Sequence, residues 1–273
     1  MTTETGTGDT TDPTAAQRAA ALRALHVPGT PLVLPNIWDA ASARTIEAAG
    51  FPALATGSAA VAAALGYDDG QAAPVEEMLA AVGRIVRVAG VPVTADLERG
   101  YGLEPAELVE RLAATGAVGC NLEDSDPRTG EMIDADEQAA FLAAVRAATA
   151  EAGIDLVINA RVDTYLHGEG TPAERLAEAA RRGRRYLRAG ADCVYPIFAT
   201  GAGEIRALAE EIDGPINILF RPGTPSLGEL AAIGVARVSF GPGLHRAAQA
   251  HTARMAAAIR AGRSPYPPED PTR

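Results

Sequence analysis

The sequence predicts a single-domain α/β fold, a (β/α)8 TIM barrel, and three observations support this fold class. Short apolar segments that favour strands alternate along the chain with longer, alanine-rich segments that favour helices. Several helical segments end in Ala-Gly or Thr-Gly, as helices that stop at a glycine do. Eight strand segments are present, the number that such a barrel requires. Strands that alternate with helices imply parallel pairing through helical crossovers.

Each predicted strand is a β-favouring run next to a turn signal. In chain order the strands are PLVLPN (31–36), PALATG (52–57), VPVTAD (91–96), VGCNLED (118–124), DLVINAR (155–161), ADCVYPI (191–197), PINILF (215–220) and ARVSFG (236–241). Helices are predicted over 40–50, 75–90, 104–116, 136–153 and 171–190, with a last helix at roughly 242–262.

A doubly wound open sheet is the alternative fold. Such a sheet usually has a Gly-x-Gly-x-x-Gly turn after its first strand, whereas this chain has PNIWDAAS there. No Pro-, Gly- or Ser-rich linker divides the chain, so we predict one catalytic barrel over residues 15–263. Residues 1–14 are predicted to form a disordered tail, and residues 264–273 a Pro-rich tail.

The composition excludes several classes of partner. The formal charge of −11 argues against nucleic acid and against an anionic membrane surface. No apolar run reaches the roughly 20 residues that span a bilayer, and the first residues do not resemble a signal peptide. Cys120 and Cys193 lie in apolar runs, where we expect buried, unreactive thiols. We therefore expect a cytoplasmic protein that acts on a small molecule.

Three carboxylates predict a metal site at the carboxyl ends of the strands, where barrel enzymes place their active sites. Asp96 and Glu98 are two residues apart, so by strand alternation they face the same side. Glu123 ends the next strand and points inward with them. Converging carboxylates suit a hard cation, Mg²⁺ with Mn²⁺ as the other candidate. The alternative is a set of salt-bridged loop carboxylates, with Arg99 as one partner.

A complementary anion site is predicted on the following strand. Asn159 and Arg161 alternate onto its inward face, and a guanidinium can hold a carboxylate or a phosphonate with two hydrogen bonds. The alternative is a structural ion pair between Arg161 and either Asp163 or Glu123.

Other strand ends add candidate substrate-binding groups. Gly57 and Ser58 offer backbone N–H groups that could hold substrate oxygens, unless they form a plain turn. Asn217 ends the seventh strand, and Trp38 is expected to pack at the barrel mouth. His167 and His245 are expected to be surface residues.

Several motifs together resemble the isocitrate lyase/phosphoenolpyruvate mutase superfamily over roughly residues 30–250. These motifs are PNIWDAASARTIEAAGFPALATGSAAVAAALGYDDG, ADLERGYG, NLED, NARVDTYL and GADCVYPI. The resemblance implies an α/β barrel, an essential Mg²⁺ and substrates that pass through an enolpyruvate-like oxyanion. It also implies a homodimer or homotetramer in which pairs of subunits exchange their last helices.

The resemblance also implies roles for individual residues. DLERGYG matches the family's D-x-D-x-G-Y-G, so Asp96 would contact the metal directly, with Glu98 in place of the second Asp. Glu123 and Asp69 match positions that hold metal-bound waters. Arg161 matches the arginine that holds the acidic group of the substrate, and Thr56, Gly57 and Ser58 match the segment that surrounds the substrate carboxylate.

Two departures from the family restrict the reaction. Lyases acting on isocitrate or methylisocitrate carry K-[KR]-C-G-H after this strand, whereas this loop reads SDPRTGEMIDADE. Ile197 stands where methylisocitrate lyases place a Glu. The gating loop of phosphoenolpyruvate mutases, with its D-K and N-S elements, is missing too.

We therefore predict a Mg²⁺-dependent lyase or decarboxylase that acts next to an α-keto or α-hydroxy acid. Arg161 and Glu123 are the predicted catalytic groups, and Tyr67 or solvent supplies the proton. A phosphonate enzyme that acts on a P–C bond and a non-catalytic metabolite-binding barrel are the two alternatives.

Overall fold

Eight parallel barrel strands close into a barrel in the computed structural model, which describes residues 13–266. The strands are β1 (Leu32–Leu34), β2 (Asn36–Ile37), β3 (Leu54–Thr56), β4 (Val93–Asp96), β5 (Gly119–Glu123), β6 (Val157–Val162), β7 (Cys193–Pro196), β8 (Asn217–Leu219) and β9 (Arg237–Ser239). β1 and β2 together count as one of the eight barrel strands. This strand is interrupted at Pro35, because proline has no N–H to donate to a sheet.

The pairing closes the barrel. β2 to β7 pair side by side, and β8 pairs with β9, which pairs with β1. A parallel bridge between Val194 and Ile216 joins β7 to β8. Asn36 strengthens the junction of the first and last barrel strands, because its Oδ1 accepts hydrogen bonds from the N–H groups of Phe240 at 2.7 Å and Gly241 at 2.8 Å. The predicted barrel and all eight predicted strands are confirmed, and the alternative prediction of an open sheet is wrong.

Helices surround the barrel within the described part of the chain. They are α1 (Ala15–Ala24), α2 (Ala40–Ala48), α3 (Ser58–Leu65), α4 (Val75–Val86), α5 (Pro105–Thr115), α6 (Ala135–Glu151), α7 (Thr164–His167), α8 (Pro172–Arg188), α9 (Ala202–Ile212), α10 (Leu227–Ile233) and α11 (Gly243–Arg260). All six predicted helices are present. α1, α3, α7, α9 and α10 were not among those predicted.

Local sequence sets the helix ends. α8 begins at a capping box in which Thr171 and Glu174 exchange side-chain and backbone hydrogen bonds, with Pro172 at the first helical position. α3 and α5 end at Gly66 and Gly116, which adopt left-handed φ angles of 93° and 82°. Gly116 confirms a predicted glycine stop, and Gly66 ends a helix that was not predicted; both positions favour glycine, since a left-handed residue is strained if it carries a Cβ.

The main core lies between the barrel wall and the surrounding helices. Leu22, Leu112 and Leu122 are fully buried there. Cys120 and Cys193 are free and buried, and burial raises the pKa of both thiols to about 12. They are therefore inert at neutral pH, as predicted.

α11 is the least covered helix. In its 18 residues only His245 is buried, and Ile259 is 62% exposed. Across residues 13–266 no helix is both long enough and apolar enough to cross a bilayer. Most of the two predicted tails, residues 1–12 and 267–273, lies outside the described residues.

Candidate active site

A cavity of about 600 Å³ opens at the carboxyl ends of the strands. An adjoining cavity of about 230 Å³ shares Ser58, Asp69, Arg161 and Leu166 with it, so the two form one continuous space. Seven of the predicted site residues line this space. They are Gly57, Ser58 and Arg161 from the substrate set, Asp69, Asp96 and Glu98 from the metal set, and Glu123, which was predicted for both metal binding and catalysis.

Strand register arranges the polar side chains in two rows. Asp96, Asn121 and Asn159 are direct neighbours across β4, β5 and β6. Two residues further along the strands, Glu123, Arg161 and Tyr195 are neighbours across β5, β6 and β7. Because parallel strands end at one rim, this second row lies nearer the mouth.

Asp96 has one oxygen held by the protein and one left over. Its Oδ2 accepts the backbone N–H of Ser58 at 3.0 Å, at the start of α3. Its own N–H donates to Thr56 Oγ1 at 2.9 Å. Its Oδ1 is buried and has no hydrogen-bond partner. A buried carboxylate oxygen without a partner is costly, so a ligand is expected there.

Glu98 lies in the tight turn after β4 rather than in the strand. Its φ of 49° is left-handed, so strand alternation ends before it, and it lines the smaller cavity while Asp96 lines the larger. Tyr101 Oη donates to Glu98 Oε1 at 2.7 Å, and the N–H of Gln71 donates to Oε2 at 2.8 Å. Burial, with the charges of Asp69 and Asp96, still raises the pKa of Glu98 to about 7.

The neighbouring carboxylates share this electrostatic crowding. Partial removal from water, and then the charge of Asp96, raise the pKa of Asp69. Burial raises the pKa of Glu123 well above its ordinary value, and the charges of Asp163, Asp96 and Glu98 add to this, against the opposing effect of Arg161. A bound cation would relieve the crowding.

These residues fit a hydrated Mg²⁺ better than a fully protein-coordinated ion. Within residues 13–266 no three His, Cys, Asp or Glu side chains lie close enough to bind one metal together. The metal set of Asp96, Glu98, Glu123 and Asp69, with Asp96 as the one expected direct ligand, therefore stays a prediction. Mg²⁺ keeps several waters and commonly takes one or two carboxylates directly. Asp96, with its unpartnered Oδ1, suits the direct position.

Arg161 is paired inside the protein. Its Nε lies 2.6 Å and its Nη2 3.2 Å from the two carboxylate oxygens of Asp163, and its Nη1 lies 2.6 Å from Glu123 Oε2. Burial alone would lower the pKa of Arg161, but Asp163 and Glu123 outweigh it and raise that pKa. The alternative prediction of a structural ion pair is therefore realised, although Arg161 also lines the cavity.

A buried network fixes Asp163 in turn. Its backbone N–H donates to Asp124 Oδ1 at 2.8 Å, and Ser125 Oγ donates to its Oδ2. Asp124 Oδ2 accepts from Tyr186 Oη at 2.7 Å and Arg182 Nη1 at 3.0 Å. The network connects β5, β6 and α8. Side chains of α8 hold Asp124, Asp124 holds Asp163, and Asp163 orients Arg161.

Asparagines and one arginine form the floor of the site. Asn159 Nδ2 donates to Asn121 Oδ1 at 2.8 Å, and Arg237 Nη2 reaches the same oxygen at 3.2 Å. Asn217 Nδ2 donates to Ser239 Oγ at 3.2 Å. Asn159 and Asn217 are fully buried, and neither is among the residues that line the two cavities. Their amides thus support the site from below.

Three more predicted residues lie outside the cavity lining. Trp38 packs edge-on against His245, with 5.0 Å between ring centroids. Thr56 supports Asp96 through its hydroxyl. Tyr67 Oη donates to Glu77 Oε1 at 2.8 Å at an exposed position. Because Tyr67 does not line the cavity, its position does not support the predicted role as proton donor.

Two details of the alternative predictions, the Arg99 partner and the plain turn at Gly57 and Ser58, are not found in the structure. Arg99 contacts Glu137 and Gln138, not the site carboxylates. Gly57 and Ser58 do not form a plain turn, because Gly57 caps α3 and Ser58 begins it. His245 is buried rather than at the surface, whereas His167 is exposed and lines the smaller cavity.

The sequence patterns missed several cavity residues. Tyr195 is buried beside Arg161, and burial raises the pKa of its phenol to about 12. Arg246 lines the mouth, as do Phe198, Phe220 and Phe240, which follow β7, β8 and β9. Tyr195 lies near the end of the predicted strand 191–197, on the same face as Ile197 by alternation, and that signal could have found it.

Comparison with known proteins places these features in context. A family model described as phosphoenolpyruvate phosphomutase matches residues 22–260. A crystal structure of a proposed phosphonomutase from Burkholderia cenocepacia J2315 is 44% identical, with a TM-score of 0.82, and covers 89% of this chain and 99% of its own.

Two named enzymes are more distant relatives. Phosphoenolpyruvate phosphomutase of Streptomyces hygroscopicus is 31% identical over 90% of this chain and 81% of its own length. 2,3-Dimethylmalate lyase of Eubacterium barkeri is 30% identical over 79% of this chain and 77% of its own. One relative is thus named as a phosphomutase and the other as a lyase.

Proposed function

The chain belongs to the phosphoenolpyruvate mutase/isocitrate lyase superfamily, and from this premise we propose a Mg²⁺-dependent enzyme that cleaves or forms a C–C bond next to an α-keto or α-hydroxy acid. One observation carries the proposal. Asp96 presents a buried carboxylate oxygen without a partner to a cavity bordered by further carboxylates and by Arg161. This donor set suits a hard cation that retains water and also contacts a small acid.

The residues that would hold Mg²⁺ follow from their positions. Asp96 would be the direct ligand, and Asp69, Glu98 and Glu123 would hold water around the ion, since all four line the cavities. When bound, Mg²⁺ supplies Lewis-acid stabilisation of the negative charge that develops on the oxygen next to the breaking bond.

The protein's own groups orient the substrate. Gly57, Ser58 and Ala59 bring the N-terminal end of α3 to the cavity, where helix-end N–H groups favour a carboxylate. The N–H of Ser58 is already used by Asp96, so it orients the metal ligand rather than the substrate. Arg161, held by Asp163 and Glu123, keeps a fixed orientation at the cavity wall.

Tyr195 is the proposed proton donor. It is 5% exposed, it lines the cavity, and it stands next to Arg161 in strand register. Burial raises the pKa of its hydroxyl to about 12, so the phenol keeps its proton at neutral pH. A proton held there is available to the carbon that gains an electron pair when the C–C bond breaks.

A phosphonate reaction is the second candidate. The phosphomutase relatives favour it, and Arg161 could hold a phosphonate as well as a carboxylate. The absence of the D-K and N-S gating elements from the sequence favours C–C chemistry instead.

Turnover measurements separate the candidates. The purified protein is supplied with Mg²⁺ and either four- to six-carbon 2-oxo and 2-hydroxy diacids or phosphonopyruvate, and pyruvate, glyoxylate, oxalate and phosphate are quantified. We expect cleavage of a diacid that stops on chelation with EDTA and resumes with Mg²⁺. Release of phosphate or formation of phosphoenolpyruvate from phosphonopyruvate, with no cleavage of any diacid, would contradict the proposed C–C reaction.

A further inference from the structure

The side-chain amide of Asn121 differs from the amides of the other asparagines. The chain has four asparagines, and all of them lie within residues 13–266. The amide nitrogens of Asn36, Asn159 and Asn217 each donate to a protein oxygen, at 2.8, 2.8 and 3.2 Å. Within the described residues the amide nitrogen of Asn121 donates to no protein acceptor, and it is accessible from the larger cavity, which Asn121 lines.

Two donors hold the other end of the same amide. Asn121 Oδ1 accepts from Asn159 Nδ2 at 2.8 Å and from Arg237 Nη2 at 3.2 Å, so both of its lone pairs are used. If the oxygen and the nitrogen of this amide exchanged places, its NH₂ group would face two further N–H donors. The Asn121 amide therefore has one orientation, with its carbonyl towards the floor of the site and its NH₂ group towards the cavity.

Arg237 brings a positive charge to this amide. It is 1% exposed, and within the described residues its guanidinium contacts the side chains of Asn121 and His26 and no carboxylate. The contact with Asn121 is the shorter, since Nη1 lies 3.5 Å from His26 Nε2. A charged donor on a carbonyl oxygen polarises the amide and makes its N–H groups stronger donors. Arg237 does not line either cavity, so its charge acts there through Asn121.

Strand register places the Asn121 amide next to the proposed metal ligand. Asn121 is the direct neighbour of Asp96 across β4 and β5. Neighbouring strands lie about 4.8 Å apart, and both side chains line the larger cavity. A substrate oxygen that binds beside Asp96 therefore lies close to the NH₂ group of Asn121.

Other donors on this side of the cavity are already in use. The guanidinium of Arg161 is held by two carboxylates. The backbone N–H of Ser58 donates to Asp96. The NH₂ group of Asn121 is therefore better placed than either of them to donate to a ligand.

We propose that Asn121 is a catalytic residue that donates a hydrogen bond to the substrate oxygen next to the breaking bond, and that Arg237 is a positioning residue that orients and polarises the Asn121 amide. Negative charge builds on this oxygen as the bond breaks, so the hydrogen bond strengthens in the transition state. The inference rests on the proposed function, because it takes the Asp96 side as the reactive end.

Oxalate is the probe for this contact, because it is a small dianion whose oxygens on adjacent carbons chelate a divalent cation. Isothermal titration calorimetry measures the binding of Mg²⁺ alone, and of oxalate with Mg²⁺ present. We expect oxalate to bind Asn121→Ala at least about tenfold more weakly than wild type, the effect of losing one hydrogen bond to a charged oxygen, while Mg²⁺ alone binds within about twofold of wild type. Unchanged Mg²⁺ affinity shows that the variant is folded at the site.

Asn121→Asp separates a contact with the ligand from support of the fold. A carboxylate in this place still accepts from Asn159 and Arg237 and gives the buried guanidinium a counterion, so urea unfolding should show no loss of stability. The carboxylate has no N–H to donate, so oxalate should bind more weakly than to Asn121→Ala.

Steady-state kinetics on the diacid identified by the substrate panel gives a second readout. Asn121→Ala should lower kcat about 100-fold or more while KM changes by less than about threefold, as loss of a transition-state donor does. A rise in KM with kcat unchanged would contradict the catalytic role.

Arg237 is tested by a double-mutant cycle. Arg237→Met should weaken oxalate binding at least about threefold when Asn121 is present and leave it unchanged in Asn121→Ala, because Arg237 acts through that amide. Arg237→Lys, which keeps the charge but not the fork of N–H groups, is the second variant, and the same dependence on Asn121 is expected. Equal effects in both backgrounds would overturn the role of Arg237.

The wild-type protein separates this inference from the proposed function. Mg²⁺-dependent oxalate binding that is equally strong in wild type, Asn121→Ala and Asn121→Asp would overturn the inference and leave the proposed function intact. Wild-type protein that does not bind oxalate in the presence of Mg²⁺ would overturn the proposed function and the inference with it.

Discussion

The guanidinium of Arg161 lies 2.6 Å from the carboxylate of Glu123 on the neighbouring strand. Glu123 is 4% exposed, so the pair is largely removed from water. With Asp163 on the other side of the guanidinium, two carboxylates and one arginine form a buried unit at the edge of the metal site. This unit is both part of the fold and part of the cavity wall.

Removing Arg161 is expected to destabilise the protein as well as weaken substrate binding. Arg161→Ala leaves two buried carboxylates without their cation, and breaking such a unit costs about 3–5 kcal/mol. Urea unfolding measures the change in the free energy of unfolding. Arg181→Ala, which breaks an exposed pair with Glu178, should cost less than about 1 kcal/mol. Equal stability of the two variants would show that the buried unit contributes nothing to the fold.

Tyr195→Phe is expected to lower kcat by about 100-fold or more, as loss of a general acid does, while KM changes by less than about threefold. The measurement is steady-state kinetics on the diacid identified by the substrate panel. Tyr67→Phe should keep wild-type kinetics, because the Tyr67 hydroxyl bonds to Glu77 outside the cavity lining. The reverse pattern, with Tyr67→Phe inactive and Tyr195→Phe active, would restore the assignment made from the sequence.

Asp69 and Asp68 form a matched pair for the metal site. Asp69 lines the cavity and Asp68 does not. We expect Asp69→Asn to weaken Mg²⁺ binding about 10–100-fold, the effect typical of a group that acts through the metal's outer shell, and Asp68→Asn to leave it unchanged. Isothermal titration calorimetry gives the dissociation constant of Mg²⁺ for each variant. Equal affinities in the two variants would exclude Asp69 from the site.

Stability should fall in acid because of His26. Burial first, and then the charge of Arg237, lower the pKa of His26 from 6.5 to about 4. A lowered pKa in the folded state means that the unfolded chain binds the proton more readily. The stabilisation is therefore complete above pH 6.5 and is lost as the pH falls towards 4, by about 3 kcal/mol in total.

Urea unfolding at pH 7 and pH 4.5 measures this loss. His26→Asn cannot titrate but can still donate to Leu22 O, which His26 Nδ1 contacts at 2.9 Å. We expect the pH dependence to be smaller in His26→Asn than in the wild type. The same pH dependence in both would assign the acid sensitivity to other groups.

We expect a homodimer or a homotetramer. The resemblance implies one, and α11 exposes all but one of its residues at least in part, including Ile259. Light scattering after gel filtration should give two or four times the chain mass of 28.1 kDa. A mass of one chain at micromolar concentration would contradict this expectation.

The sequence predicted the barrel because its signals are local and repeated. Each barrel strand is a short apolar run. The helices have their own end signals: Thr171 caps the start of α8, and Gly116 ends α5. Asp96 and Arg161 were found by the same logic, since strand alternation fixes which side chains point inward.

The remainder of the site depends on long-range packing. Glu98 departs from strand alternation because the chain turns left-handed there. An ion pair of Arg161 with Asp163 or Glu123 was the alternative to an anion site. The register of β5 against β6 places Glu123 beside Arg161, and no pattern in the sequence fixes that register. Phe198 and Arg221 come together from different loops, so no spacing along the chain indicates their contact.

Calorimetric titration of Mg²⁺ into the wild-type protein and into Asp96→Asn tests the central claim most directly, with Asp68→Asn as the folded control. The account predicts saturable binding in the wild type and in the control, and at least about 100-fold weaker binding in Asp96→Asn, because the direct carboxylate ligand is lost. Binding of equal strength in all three proteins would contradict it.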